Sequence, residues 1–271
     1  VVSAAEILQN ADCHVTADEV VEGNLLVLCG ELIVEGQVEG NLIGAAFTAN
    51  VSGTVEKGIY LASGQLDVAG DVGGTLHFAG VALNILADAD FTQGDVISLG
   101  LSTTLRPGAS VPGSMIGVGY QMILDGSVGD DVDFAGSALH INGEINGHID
   151  VSVGDAASTG TASSLQTLLI PFPWEVNLVD PGLQISEIAS ISGDLQYRSP
   201  AEGTIQGQIA GDTRYVPVIS GPTLEDLVEE ESRASALELY FQQVVREFTT
   251  LGLIGLIGLL LVPLFMQTHI K

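Results

Sequence analysis

Apolar and polar residues follow one another in a pattern that returns every 17 residues through the first half of the chain. The leading apolar column contains Leu25, Leu42, Ile59, Leu76, Val96, Met115, Val132 and Ile149, with spacings of 17, 17, 17, 20, 19, 17 and 17 residues. A second apolar column and a glycine column keep the same register, at Val34, Val51, Val68 and Ile85 and at Gly36, Gly53 and Gly70. A repeat this short cannot bury its own apolar face, so neighbouring copies must stack and share a core.

Within a repeat the alternation has a period of two, as in Leu66-Asp67-Val68, which is typical of strands with one face turned inward. Together the two periods predict an all-β solenoid with turns of about 17 residues over residues 1–153. The two longer spacings predict longer loops at 86–93 and 102–113, because both stretches carry turn-forming residues.

Residues 154–221 are less regular and predict a cap with further strands. A loop rich in Ala, Ser, Thr and Gly precedes the run Pro171-Phe172-Pro173-Trp174, which contains the only Trp of the chain. We expect this segment to cover an end of the solenoid, because an open end would template aggregation. The alternative is that Phe172 and Trp174 contact a membrane or a partner. Strand-like alternation at 191–195 and 205–209 predicts that further turns, or a small sheet, follow.

The last 50 residues predict helix. Thr223 to Asp226 resembles a capping box, and apolar residues then recur at helical spacing, so 222–250 is predicted to be a juxtamembrane helix. Residues 251–268 are predicted to form a transmembrane helix, since 251–266 carry no charge and a thin solenoid could not surround a buried core helix. The predicted span contains three glycines spaced three apart, Gly252, Gly255 and Gly258. They would let another helix approach closely.

Charge bears on partners and on topology. The chain has 7 Lys and Arg against 34 Asp and Glu, a formal net charge of -27, so nucleic-acid binding is not expected. The acidic exterior is expected to be solvated, and the alternative is docking of calcium or a basic partner. The best local candidate for calcium, Gly129 to Asp133, lacks the Asp-x-Asp-x-Asp-Gly pattern.

Lys271 follows the predicted span, which favours a cytoplasmic C-terminus and an extracytoplasmic solenoid. Because export requires an N-terminal signal, we expect the sequence to be a processed or trimmed chain.

The two cysteines, Cys13 and Cys29, lie 16 residues apart, one short of the repeat. They could face each other across adjacent turns and form a disulfide that staples the N-terminal end. The preferred interpretation is that Cys29 is instead a small buried apolar residue, aligned with Leu25 and Val27 on one strand face.

Motifs for catalysis are not found. The histidines show no metal-ligand spacing, and no nucleophile elbow, phosphate-binding loop, dinucleotide fingerprint or CxxC occurs. We therefore expect no enzymatic activity, no cofactor, no metal site and no nucleotide.

Several columns resemble the bactofilins, the polymer-forming cytoskeletal proteins of bacteria. The resemblance covers about residues 20–153 and rests on Gly-Asn-Leu openings and on an L-x-V-x-G-x-V closing, seen at 32–38, 66–72 and 139–145. It implies a right-handed β-helix of triangular section that polymerises end to end without nucleotide. The left-handed hexapeptide solenoid is the rival fold, but its turns are multiples of six.

These observations predict a non-catalytic, membrane-anchored structural scaffold or an accessory subunit of a membrane complex. Its expected partners are membrane lipid, through the C-terminal helix, and other membrane-protein subunits or further copies of itself. The alternatives are a cell-surface protein that binds or cleaves glycans and a membrane sensor.

Overall fold

The computed structural model describes residues 5–155, 161–169, 172–174 and 176–218. The predicted juxtamembrane helix 222–250, the predicted transmembrane helix 251–268 and the glycines at 252, 255 and 258 lie outside these residues. Among the residues described, no helix is long and apolar enough to cross a membrane.

The described chain is an all-β solenoid of about 11 turns, in which every strand pairs in parallel with the strand one turn away. The strands of turns 1 to 7 are β1 (Glu6–Val15), β2 (Val20–Val21), β3 (Leu25–Val34), β4 (Gln37–Val38), β5 (Leu42–Val51), β6 (Thr54–Val55), β7 (Ile59–Val68), β8 (Asp71–Val72), β9 (Leu76–Ile85), β10 (Asp90–Phe91), β11 (Val96–Leu105), β12 (Ser110–Val111), β13 (Met115–Leu124) and β14 (Ser127–Val128). Turns 8 to 11 contain β15 (Val132–Ala135), β16 (Ala138–Ile141), β17 (Glu144–Ile145), β18 (Ile149–Ser152), α1 (Thr161–Leu169), β19 (Gly182–Ile185), β20 (Ser190–Ile191), β21 (Leu195–Ser199), β22 (Thr204–Ile205), β23 (Gln208–Ile209) and β24 (Thr213–Pro217).

The register confirms the predicted repeat. Leu25 pairs with Leu42, Leu42 with Ile59 and Ile59 with Leu76, so residues 17 apart lie side by side. Such in-register parallel pairing places equivalent residues of successive turns in one ladder about 4.8 Å apart, and the period of the sequence is therefore the length of one turn.

Each turn has three sides. In β3 the buried residues are Leu25, Val27 and Cys29 and then Leu32 and Val34, so the alternation changes phase near Gly30, which has no partner in the register. The strand therefore bends there. The first five residues of a long strand form the first side of the turn, its last four form the second side, and the two-residue strand forms the third side.

Two interior phenylalanines show how the narrow core is filled. Phe78 is fully buried, and its ring lies within 3 Å of where a Cβ atom would stand at Gly80 and at Gly100 on the next turn. Phe134 bears the same relation to Gly136 on its own turn. Glycine is therefore required at these inward positions, because the aromatic ring occupies the space that a side chain would need.

A ladder of side chains at the corner before the first side explains the recurrent Asn or Asp. The Oδ1 atom of Asn24 accepts a hydrogen bond from the backbone N–H of Asn41 at 2.9 Å, and Asn41 Oδ1 accepts one from Gly58 at 3.0 Å. Asp131 accepts in the same way from His148, one turn further along. These polar residues satisfy backbone donors where the chain turns a corner. Asp131, part of the calcium candidate, thus has a structural partner.

The stack does not end near residue 153. Ile149 pairs with Leu195, and Ala138 pairs with Gly182, so the chain leaves the solenoid after β18 and returns at β19 to continue the same ladders. The further turns predicted around 191–195 and 205–209 are present as part of the stack. The second long loop is shorter than expected, because Ser102 to Leu105 belong to β11 and only 106–109 form the corner.

Cys13 and Cys29 form a disulfide between turns 1 and 2, with their Cα atoms 6.0 Å apart. Both are also buried, and Cys29 points inward beside Leu25 and Val27 as predicted. The preference for an unpaired Cys29 is wrong. Turn 1 is longer than the repeat, so the register pairs Cys13 with Leu32, and the 16-residue separation brings Cys13 near Cys29 across the bend.

Candidate interaction surfaces

The outward residues of the first side form an apolar face over turns 1 to 7. They occupy the second and fourth positions of each long strand: Ile7 and Gln9, Leu26 and Leu28, Ile43 and Ala45, Tyr60 and Ala62, His77 and Ala79, Ile97 and Leu99, and Ile116 and Val118. None is an Asp, Glu, Lys or Arg. Ile7 is 69% exposed and Leu99 43%, whereas most of the others are half-buried because neighbours one turn away pack along the ladder.

Charged residues replace this face from turn 8 onward. Four of the eight equivalent positions in β15, β18, β21 and β24 are charged, namely Asp133, Asp150, Arg198 and Arg214. The guanidinium of Arg198 donates to the Asp150 carboxylate at 2.7 Å, and Gln196 donates to the same carboxylate at 3.2 Å. Burial raises the pKa of Asp133, and the neighbouring carboxylates of Asp150 and Asp131 raise it further.

Asp133→Asn is expected to stabilise the fold at neutral pH by about 0.5 kcal/mol, the size of a like-charge pair on neighbouring strands. The pKa of Asp133 is raised in the folded state, so the protonated side chain favours the fold. This stabilising contribution is complete below the unfolded pKa near 3.8 and is lost as the pH rises through the folded pKa, where the charged side chain becomes unfavourable. The gain should therefore be present at pH 7 and vanish near pH 3.5. Urea denaturation at both pH values measures it. Asp150→Asn, which weakens the bond to Arg198, should show no gain, and an equal gain in both variants would contradict the prediction.

The insertion between β18 and β19 lies along the corner between the first and second sides. We call residues 172–174 and 176–181 the strap. The Val179 N–H donates to Gln121 Oε1 at 2.9 Å, Gln121 Nε2 donates to the Asn177 carbonyl at 2.9 Å, and the Tyr120 hydroxyl donates to the Val179 carbonyl at 3.0 Å. The strap therefore runs back from turn 9 across turn 7.

Further along the strap, Trp174 packs on turns 3 and 4. Its ring centroid lies 5.3 Å from that of Phe47, it contacts Gly64, and Phe172 stacks on its other side at 4.4 Å. The expectation that Phe172 and Trp174 cap an end of the solenoid is wrong. Phe47 and Gly64 lie at the bends of β5 and β7, in the middle of the stack, so Trp174 packs on a side of the solenoid. Phe172 remains 43% exposed, so an outward contact through this residue is still a prediction.

Helix α1 is joined to the strap by the side chain of Gln166. The amide of Gln166 donates to the Val176 carbonyl at 2.6 Å and accepts from the Leu178 N–H at 3.0 Å. One glutamine thus pairs with two backbone groups of the strap that the solenoid does not reach.

Gly64→Ala is expected to release Trp174 from the solenoid, because the added Cβ would overlap the indole ring. Trp174 is the only tryptophan in the chain, so its fluorescence reports on the strap without background. The emission should shift to the red, with about 1–3 kcal/mol of lost stability from overpacking. Gly74→Ala, at a corner away from Trp174, is the control and should leave the emission unchanged. An unshifted spectrum for Gly64→Ala would contradict the prediction.

The third side and its two corners carry most of the acidic residues. They include Asp18, Glu19, Glu22, Glu35, Glu39, Glu56, Asp71, Asp88, Asp90, Asp125, Asp130, Glu144 and Glu187. The only basic residues on these parts of the described chain are Lys57 and Arg106. The negative charge of the solenoid therefore lies beside the apolar face and not among its outward residues.

Histidines take separate structural positions. His14 hydrogen bonds to Glu35 at 2.8 Å, His77 stacks on Tyr60 at 4.6 Å, and His148 Nδ1 accepts from the Asp194 N–H at 3.0 Å. Burial lowers the pKa of His140, against the opposing influence of Asp125 and Asp180. Within the described ranges, no group of three or more His, Cys, Asp or Glu residues is placed to hold a metal ion.

Comparison of the chain with protein-family models, curated proteins and solved structures finds no match.

The apolar face has a signal in the sequence that period-two reasoning misses. The run Leu25-Leu26-Val27-Leu28-Cys29 is apolar at every position, which indicates a strand with both faces apolar. The strap had no comparable signal, because its partners in the solenoid lie 50 or more residues away in sequence, as with Gln121 and Val179.

Proposed function

We propose that this chain is a non-catalytic, membrane-anchored structural scaffold or an accessory subunit of a membrane complex. The observation that carries the proposal is the apolar face of the first side, seven turns long and free of charge. A continuous exposed apolar patch is typical of a surface that contacts other macromolecules, and it lies on a stack whose core runs through every turn.

Anchoring rests on the sequence of the C-terminal region. The span 251–268 would cross the membrane, with the C-terminus in the cytoplasm and the solenoid outside, and Gly252, Gly255 and Gly258 would pack against helices of partner subunits. The disulfide between Cys13 and Cys29 supports an extracytoplasmic solenoid, because disulfides persist in oxidising compartments.

The proposal also has a more specific form. The chain would be related to the bactofilins, coil with a right hand and assemble end to end. The 17-residue turn and its three sides support it. Within the described residues, β1 and β24 each pair on one edge only, and the strap covers the side of the stack rather than these edges. Unpaired edges of parallel strands can accept another copy of the same sheet.

Membrane fractionation of the full chain tests the anchor. We expect the protein in the membrane fraction, released by detergent but not by salt or alkali. Leu253→Arg with Leu260→Arg should move it to the soluble fraction, since each arginine in the middle of a span costs about 2.5–3.5 kcal/mol. The control, Gln242→Arg with Gln243→Arg, adds the same charge outside the predicted span and should stay in the membrane. Wild-type protein in the soluble fraction would overturn the anchor.

Electron microscopy of the detergent-purified full chain tests the scaffold role. Filaments would support the polymer, and a particle of fixed composition with other subunits would support the accessory role. Monomers that bind or cleave a glycan would overturn both in favour of a surface glycan protein.

A further inference from the structure

The dimensions of the apolar face match a specific interface. Seven turns at about 4.8 Å each and five residues at about 3.3 Å each give a face of roughly 34 by 16 Å, or about 550 Å². Two such faces in contact would bury at least about 1,100 Å², which passes the level of about 1,000 Å² expected of a specific interface. The face is one side of a parallel sheet, and stacked sheets pack face to face about 10 Å apart.

Charge limits where two copies can meet. The chain has a formal net charge of -27, so most contacts between copies would bring carboxylates together. The first side over turns 1 to 7 is uncharged at its outward positions, and the acidic third side points elsewhere. This face is therefore where two copies can approach with no carboxylate among the facing outward residues. An anionic lipid surface is a poorer occupant, because none of the outward residues of the face is a Lys or Arg that could bind a headgroup phosphate.

The charged turns decide the relative direction of the two copies. In a parallel pair each turn would face itself with the strand direction reversed, so the charged turns 8 to 11 of one copy would be buried against the charged turns 8 to 11 of the other. In an antiparallel pair centred on turn 4, turn 1 faces turn 7 and the charged turns 8 to 11 extend beyond the contact. The antiparallel arrangement thus buries the apolar face alone.

We propose that two copies of this chain pair antiparallel through the apolar face. The two-fold axis runs along the strand direction beside Tyr60 and Ala62 on turn 4. Leu28 on turn 2 then faces Leu99 on turn 6 of the second copy, and Ile7 faces Ile116. The pairing goes beyond the proposed scaffold role and does not depend on the membrane anchor, so each can fail alone.

Sedimentation equilibrium of the detergent-solubilised full chain, at several protein concentrations, tests the pairing. The wild type is expected to be dimeric. Leu28→Glu and Leu99→Lys, each alone, should weaken the dimer at least tenfold, because each buries a charge against an apolar side chain. Ile33→Glu, on the second side of the same turn as Leu28, is the matched control and should leave the dimer intact. Trp174 fluorescence and circular dichroism verify that each variant is folded.

The combined variant Leu28→Glu with Leu99→Lys tests the direction. In the antiparallel pair the two new charges face each other and should restore at least part of the lost affinity, whereas in a parallel pair turn 2 does not meet turn 6. Failure of the combined variant to regain affinity, with both single variants weakened, would overturn the antiparallel pair. The pairing itself would be overturned by a monomeric wild type or by a dimer that Leu28→Glu leaves intact. It would also be overturned if substitutions on the face weakened only the binding to zwitterionic lipid vesicles.

Discussion

Phe78→Ala is expected to lower the free energy of unfolding by about 3–5 kcal/mol, the usual cost of removing a buried aromatic ring. Phe78 is fully buried in turn 5, and the residues beside its ring are Gly80 and Gly100. Glycines have no side chain that could move into the space, so the cavity should stay open and the cost should fall in the upper part of this range. Urea denaturation followed by circular dichroism measures the change.

Phe78→Leu is the matched control for this substitution. It keeps an apolar side chain of moderate size at the same inward position and should cost clearly less than Phe78→Ala. Equal losses for the two variants would indicate that the ring does not fill the interior as described. Hydrogen exchange should show the largest effect in turns 4 to 6, because each turn of a solenoid contacts only its neighbours.

Removal of the disulfide by Cys13→Ser with Cys29→Ser is expected to cost about 3 kcal/mol, the value that loop-closure entropy assigns to a loop of about 15 residues. The effect should be local. Among the described strands β1 pairs with β3 alone, and most of β1 is exposed, so the remaining stability of turn 1 comes from few buried residues, chiefly Cys13, Val15 and Val21. Amides of Glu6–Val15 should exchange faster, while those of turns 5 to 7 should be unchanged.

Reduction of the wild-type disulfide with a thiol provides the comparison for this variant. It should produce the same pattern of exchange, since the covalent link and not the cysteine side chains holds turn 1 on turn 2. If protection is lost evenly along the stack, or not at all, the disulfide does not hold the N-terminal turn in place.

The apolar face and the acidic third side are different sides of the solenoid, so apolar contacts with other macromolecules are expected on one side only. Acidic residues on the third side keep the remaining surface solvated, and the strap covers the second side at Gln121, which it hydrogen bonds. One side of the molecule is thus left for apolar association.

The repeat by itself determined the fold class and the content of the core. Leu25, Leu42 and Ile59 are equivalent in the sequence and adjacent in the structure, because parallel in-register stacking converts a sequence period into a spatial neighbour. Further turns after residue 190 followed from the same alternation.

Only the tertiary structure decided where the irregular segment lies, whether the two cysteines meet and how far the apolar outer face extends. Trp174 docks at Gly64, more than 100 residues earlier, and no local pattern encodes such a contact. The disulfide depends on the extra length of turn 1, which shifts Cys13 against the repeat. The apolar face depends on the bend near Gly30, which changes the side to which later residues point. These features arise from contacts between distant segments, whereas the period arises from contacts between neighbouring turns.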